Sequence, residues 1–261
     1  SYKPCTTMAG GVPVMITTKV ENQFRLTPEE LEAHITDRTK ALILPYPNNP
    51  TGGIMEREDL EKIAEILRDR DILVISDEIY AELTYDRQHV SIASIPGMYD
   101  NTLVLNGFSK AYSMTGWRLG YAAGPKELIA AMTKIHQYAI MCAPTTSQYA
   151  AIEALKNGDS DVVEMRAAFD RRRRVMVDAF RKMGMDCFEP LGAFYVFPSI
   201  EKTGMTSEEF CTKLLYEKKV AVVPGTAFGD SGEGFIRCSY AYAIENIKEA
   251  LRRIEEFMKQ Y

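Results

Sequence analysis

Apolar positions in the first half of the chain change period repeatedly. Residues 11–18 are compact and β-branched, as a strand would be. Thr27-Pro28-Glu29-Glu30 has the form of a capping box with proline at the first helical position, predicting a helix to about residue 35. Residues 41–44 are a short buried-strand run, followed by the turn-rich stretch 45–53. Between residues 56 and 70, Leu60, Ile63, Ala64 and Leu67 recur at helical spacing. Residues 72–75, 102–105 and 119–123 are further strands. Strands separated by helical stretches predict an α/β fold, with a mostly parallel sheet flanked by helices.

The pattern changes near Lys126. Helical spacing dominates residues 126–183 and contains the run Arg171-Arg172-Arg173-Arg174, which reads as a solvated helix face beside Glu164 and Asp178. Short strands follow at 193–197, 220–223 and 235–240. A second capping box, Thr206 to Glu209, opens a helix between the first two. Ile247, Leu251, Ile254 and Met258 mark an amphipathic C-terminal helix. The expected organisation is a large domain over residues 1–158 and a smaller α+β domain over 159–261.

Composition narrows the function classes. The 261 residues carry 31 Lys+Arg against 36 Asp+Glu, a net charge of -5, so nothing marks a nucleic-acid or anionic-membrane surface. No apolar run approaches the roughly 18 residues of a spanning helix. Five cysteines without a C-x-x-C pair fit reduced thiols in a cytoplasm. Three scattered histidines, His34, His89 and His136, lack zinc-ligand spacing, and no nucleophile elbow accompanies them. A metal site is not expected.

Four segments carry candidate chemistry. In Asn106-Gly-Phe-Ser109-Lys110-Ala-Tyr-Ser-Met-Thr-Gly-Trp-Arg118, Lys110 lies just past a predicted strand, where open α/β sheets place ligand crevices. A lysine there fits a Schiff base to a carbonyl cofactor, and Arg118 fits a bidentate grip on phosphate; a surface lysine and an exposed arginine would read alike on this pair alone. Asp77 closes the strand Ile72-Leu-Val-Ile-Ser-Asp77, at the same expected sheet edge. A buried carboxylate there calls for a cationic partner such as a protonated ring nitrogen, although a helix cap would also account for it. Tyr80 can send its hydroxyl into the same crevice, or simply pack. Tyr46-Pro-Asn-Asn49-Pro-Thr-Gly-Gly is a turn that brings an amide donor to that edge. In Phe235-Ile-Arg237-Cys-Ser-Tyr, an arginine alternates with apolar residues, suited to clamping a carboxylate or to an interdomain salt bridge.

Together these segments resemble the fold-type I pyridoxal-phosphate aminotransferases, the class that includes aspartate and aromatic amino acid transaminases. The likeness runs from Ala9-Gly10-Gly11-Val12-Pro13-Val14 to Arg237 and the C-terminal helix, with the four motifs in family order. The resemblance implies that Lys110 holds pyridoxal 5'-phosphate as a Schiff base and then shuttles the substrate proton. It implies that Asp77 keeps the pyridine nitrogen protonated and that Tyr80 and Asn49 hydrogen-bond the 3-oxygen. Arg118 would bind the phosphate and Arg237 the substrate carboxylate, with Asn49 beside it. Gly192-Ala193-Phe194-Tyr195 are expected along the substrate pocket or in the core. Phe194, Tyr195 and Phe228 would suit an aromatic donor, although dicarboxylate-specific members of the family carry similar residues. The implied reaction moves an amino group between an aromatic, aspartate or diaminopimelate-type amino acid and a 2-oxo acid such as 2-oxoglutarate. A homodimer is the family expectation.

Two departures stand out. Relatives often carry a phosphate-binding serine three residues before the lysine; here that position is Gly107, and Ser109 is the candidate substitute. The phrase at Ser1 also reads as the middle of a fold, so a preceding part bearing the phosphate cup and ring-stacking aromatic is expected, without which the cofactor should bind weakly. Two alternatives share the cofactor fold: a carbon–sulfur β-lyase, and the effector module of a cofactor-sensing transcription regulator.

Overall fold

The computed structural model describes residues 1–261 throughout. The chain divides into two compact units. One comprises Ser1–Tyr46, Met55–Tyr80 and His89–Asn157; the other comprises Pro47–Ile54, Ala81–Gln88 and Gly158–Tyr261. Two short excursions, which a linear division at residue 158 keeps with the first domain, therefore cluster with the second. No helix is long and apolar enough to cross a membrane.

The first unit opens with helix α1 (Tyr2–Met8), which the sequence pattern did not predict. The strand expected at 11–18 does not form. Val12 and Val14 are exposed there and Pro13 removes a ladder donor, so the segment pairs with no strand, although Ile16 packs against the core cluster. Helix α2 (Pro28–Glu32) is shorter than expected but starts at the predicted capping box. Thr27 Oγ1 accepts from the Glu30 amide at 3.2 Å, and the Glu30 carboxylate accepts from the Thr27 amide at 3.0 Å. Strand β1 (Ala41–Pro45), helix α3 (Arg57–Leu67) and strand β2 (Leu73–Asp77) follow. The α3 residues Leu60, Ile63, Ala64 and Leu67 are buried in one cluster with Leu42, Leu44 and Val74 of the strands. Each fully buried Leu or Ile there contributes about 1.5–3 kcal/mol.

Strand β3 (Thr102–Gly107) runs into the single-turn helix α4 (Phe108–Ala111), and strand β4 (Gly120–Ala123) precedes helices α5 (Lys126–Ala139) and α6 (Thr145–Asn157). The sheet order is β1-β2-β3-β4, with the first three strands parallel and β4 antiparallel to β3. The reversal follows from the connection: the chain between β3 and β4 returns at the same end of the sheet, without the crossover that a parallel neighbour needs.

The second unit contains helix α7 (Asp159–Lys182), strand β5 (Tyr195–Val196), helix α8 (Ser207–Lys218), strands β6 (Val223–Pro224) and β7 (Ile236–Ser239), and helix α9 (Ile244–Met258). Its antiparallel sheet has the order β5-β7-β6. Phe210 of α8 and Phe257 of α9 meet edge to face at 5.3 Å in the core. The excursion 47–54 is pinned at Gly52, whose carbonyl accepts from both Leu191 and Gly192 amides at 2.9 Å. Gly52 has φ +71, and a Cβ there would meet Pro190 at 2.2 Å, so only glycine fits.

The arginine run is not a uniformly solvated face. Arg173 is completely buried, while Arg171 and Arg174 are exposed. Its guanidinium donates to Asp170 at 2.8 Å, Glu189 at 3.1 Å, the Pro190 carbonyl at 2.9 Å and Asp86 at 3.3 Å. It also lies 5.2 Å from the Tyr85 ring centre. The cause is helical phase. Phe169, Arg173, Met176, Val177 and Phe180 share the buried stripe of α7, so the third arginine points inward whatever its neighbours do. Carboxylates and a carbonyl gather around it because an uncompensated buried charge is strongly destabilising.

Candidate active site

Parallel pairing sets the geometry of the first unit's site. Pro45, Asp77 and Leu105 are mutually in register, so three strands end side by side at their carboxyl ends. Ligand crevices form at such edges because loops and helix starts there point polar groups away from the packed sheet. Lys110 sits in α4, just beyond β3, and is half-buried. Its Nζ lies 5.7 Å from the ring centre of Tyr80, which is itself buried. Asp77 is half-buried at the end of β2, and its Oδ1 accepts from the Ile79 amide at 3.2 Å. Ser109 is half-buried beside Lys110.

Arg118 closes a 3-10 turn, Thr115–Trp117, in the left-handed conformation at φ 53. Its exposed guanidinium donates to the Thr115 carbonyl at 2.9 Å, and Ser147 Oγ ties down the Trp117 carbonyl at 2.6 Å. Gly107 has a steric reason. A Cβ there would come within 2.9 Å of Gly120 Cα and 3.0 Å of the Leu119 carbonyl, because β3 and β4 approach too closely for a side chain.

Two partners of this edge were missed in the sequence. Tyr2 donates its hydroxyl to Asp77 Oδ2 at 2.6 Å across 75 residues of chain. Burial, and then the bond and charge of Asp77, push the Tyr2 phenol well above its ordinary pKa, so it stays a donor. No local pattern announces such a contact. Glu78 was legible in principle: Ile72, Val74, Ser76 and Glu78 alternate inward along β2, opposite to Asp77. Only 4% of Glu78 is exposed. Its carboxylate is held by Ser76 Oγ at 2.9 Å, Ser91 Oγ at 2.6 Å and His89 Nε2 at 3.0 Å.

Burial works against the Glu78 charge, but the bonds from His89 and Ser91, with the His89 charge and Ser76, outweigh it and lower the pKa. A lowered folded-state pKa stabilises above the unfolded value near 4.3 and loses that contribution as pH falls through the folded one. Glu78→Gln is therefore expected to cost about 1–3 kcal/mol at pH 7 and to flatten the acid side of the stability curve. Denaturant unfolding at pH 7 and pH 4 measures both; an equal loss at the two pH values would contradict the ionised assignment.

The second unit brings together Asn49 and Arg237, 188 residues apart in the chain. Arg237, half-buried on the central strand β7, donates Nη1–H to Asn49 Oδ1 at 2.9 Å. Its Cζ lies 4.4 Å from the Tyr195 ring centre and 4.9 Å from that of Phe228. Gly192 and Ala193 are packed tightly instead of lining open space. A Cβ on Gly192 would meet Pro47 at 2.4 Å, and the buried Ala193 carbonyl accepts from Tyr85 and Tyr240 hydroxyls.

The donor set of the first unit fits pyridoxal phosphate. A primary amine, a carboxylate, a phenol and a guanidinium match its aldehyde, ring nitrogen, 3-oxygen and phosphate. Comparison with known proteins agrees. The family model for aminotransferase class I and II matches residues 1–254. The chain is 48% identical to an aspartate aminotransferase of Pyrococcus abyssi, over all of this chain (100%) and 68% of that protein. It is 45% identical to aromatic-amino-acid aminotransferase 2 of Thermococcus litoralis, again over 100% of this chain and 68% of the relative. The crystal structure of an aromatic aminotransferase from Pyrococcus horikoshii superposes with a TM-score of 0.96 at 46% identity, covering 99% of this chain and 70% of that one. The chain thus spans about two thirds of the length of these relatives. With strand-end lysine and carboxylate, matching fold and this level of identity, the chain belongs to the class I and II aminotransferases, which work with pyridoxal phosphate.

Proposed function

We propose that the protein moves the amino group of an aspartate-type or aromatic L-amino acid to a 2-oxo acid such as 2-oxoglutarate. The observation that carries this is the Lys110 amine set over the Tyr80 ring in the unit whose neighbouring strand ends in Asp77. Relatives named for aspartate and for aromatic amino acids support the substrate range. Bound pyridoxal phosphate supplies an aldehyde that condenses with amines and a protonated ring that accepts the electron pair left when the substrate Cα–H breaks. Lys110 would hold that aldehyde between turnovers and would carry the Cα proton during them. The Asp77 carboxylate would hold the ring nitrogen's proton, and Tyr80 and Asn49 would donate to the 3-oxygen. Arg118, with Ser109, would pair with the phosphate. Arg237 grips the α-carboxylate, oriented by Asn49.

Exposed apolar side chains of α5, α6 and the turn between them, including Ile135, Tyr138, Met141, Tyr149 and Leu155, fit an interface between two copies of the enzyme. Five free thiols fit a reducing cytoplasm. A panel of amino donors with 2-oxoglutarate, read by glutamate formation, tests the reaction. Aspartate, tyrosine or phenylalanine should be the best donors; cleavage of cystathionine to pyruvate without glutamate formation would overturn the reading.

A further inference from the structure

Arg237 has more built around it than a carboxylate clamp requires. Tyr195 lies diagonal to it across the sheet, since Tyr195 pairs with Ser239 and Arg237 stands two residues earlier on the same face of β7. Phe228 arrives from the 3-10 turn Gly225–Phe228, which packs backbone to backbone. A Cβ on Gly225 would come within 1.9 Å of the Gly232 carbonyl, and the Gly225 amide donates to the Phe235 carbonyl at 2.8 Å. The Phe228 ring is further held edge-on by Phe197, which stacks on Phe235 at 4.9 Å. A rigid loop thus delivers one ring to the guanidinium while a buried strand residue delivers the other.

We infer that Tyr195 and Phe228 form an aromatic clamp that presets Arg237 for any α-carboxylate, and so set affinity for the shared end of every substrate without choosing among side chains. The inference rests on the reading of Arg237 as the carboxylate ligand. A guanidinium attracts π-faces through its own faces and hydrogen-bonds through its edges, so both rings are compatible with a bidentate carboxylate. Asn49 occupies one N–H, which fixes rotation in the plane. Holding a long, flexible side chain in its bound pose removes an entropic cost from binding. Apolar walls also lower the local dielectric, which strengthens the ion pair with the carboxylate. Of the three rings singled out in the sequence as suited to an aromatic donor, Tyr195 and Phe228 lie against the arginine and Phe194 packs on Phe169.

The test uses Phe228→Leu, with Tyr195→Leu and Phe228→Tyr as companions, in the full gene product loaded with cofactor. Phe228→Leu should raise KM for aspartate, tyrosine and 2-oxoglutarate by a common factor of about tenfold, with the change in KM rather than kcat. The dissociation constant of the unreactive probe 3-phenylpropanoate, measured by calorimetry, should rise by the same factor, and that of 2-phenylethylamine, which has no carboxylate, should not. Phe228→Tyr should restore the wild-type values. A rise confined to aromatic substrates would overturn the inference, as would unchanged binding in both Leu variants while Arg237→Met abolishes it. If Arg237→Met leaves 3-phenylpropanoate binding intact, the carboxylate reading itself fails, and the clamp with it.

Discussion

Lys110→Ala is expected to lower the transamination rate by about 10⁴-fold or more, because it removes both the covalent anchor and the proton carrier. The fold should not suffer. Lys110 is half-buried in a single-turn helix, and alanine is at least as good a helix former. Lys110→Arg should be as inactive as the alanine variant, since it keeps the charge but offers no nucleophilic amine at neutral pH. Steady-state rates give the loss, and thermal melting checks the fold. Borohydride reduction of the wild type followed by peptide mass analysis should place the cofactor's mass on the peptide containing Lys110. Residual activity above a tenth of wild type, or label on another lysine, would remove Lys110 from the mechanism.

The second large effect is at Asp77. Asp77→Asn should lower kcat by about 10²–10³-fold, the usual loss when one preset electrostatic partner of a developing charge is removed. An amide is close to isosteric, and its oxygen can still accept the Tyr2 hydroxyl or the Ile79 amide that hold the carboxylate at 2.6 and 3.2 Å. It cannot supply the negative charge that keeps a ring nitrogen protonated. The loss should therefore fall mainly on kcat, with KM for the amino acid little changed. Cofactor affinity, followed by fluorescence, should also weaken. Equal activity of the variant and the wild type would assign Asp77 to a capping role.

Local features of this protein were legible because their physics is local. The capping boxes at Thr27 and Thr206 depend on residues three apart, and both helices start there. The buried face of α3 follows from apolar spacing, as do Ile247, Leu251 and Ile254 of α9, where Phe257 and not the expected Met258 completes the buried stripe. The candidate site residues stand out for a related reason: strand ends gather polar groups at one sheet edge, and Asp77 and Lys110 each follow a recognisable apolar run. A local pattern without a partner forms no element. Residues 11–18 look like a strand but find no sheet to join.

The sequence alone determined the alternation of strand and helix, the family likeness, and which side chains could carry the chemistry. Tertiary structure decided the rest. It assigned the excursions 47–54 and 81–88 to the second unit and turned β4 antiparallel. It buried Arg173 among carboxylates, set Tyr2 on Asp77, and joined Arg237 to Asn49 and two aromatic rings. The physical reason is common to all of these. A side chain's environment is set here by groups that lie 75 or 188 residues away, and no periodicity along the chain records which of them will arrive.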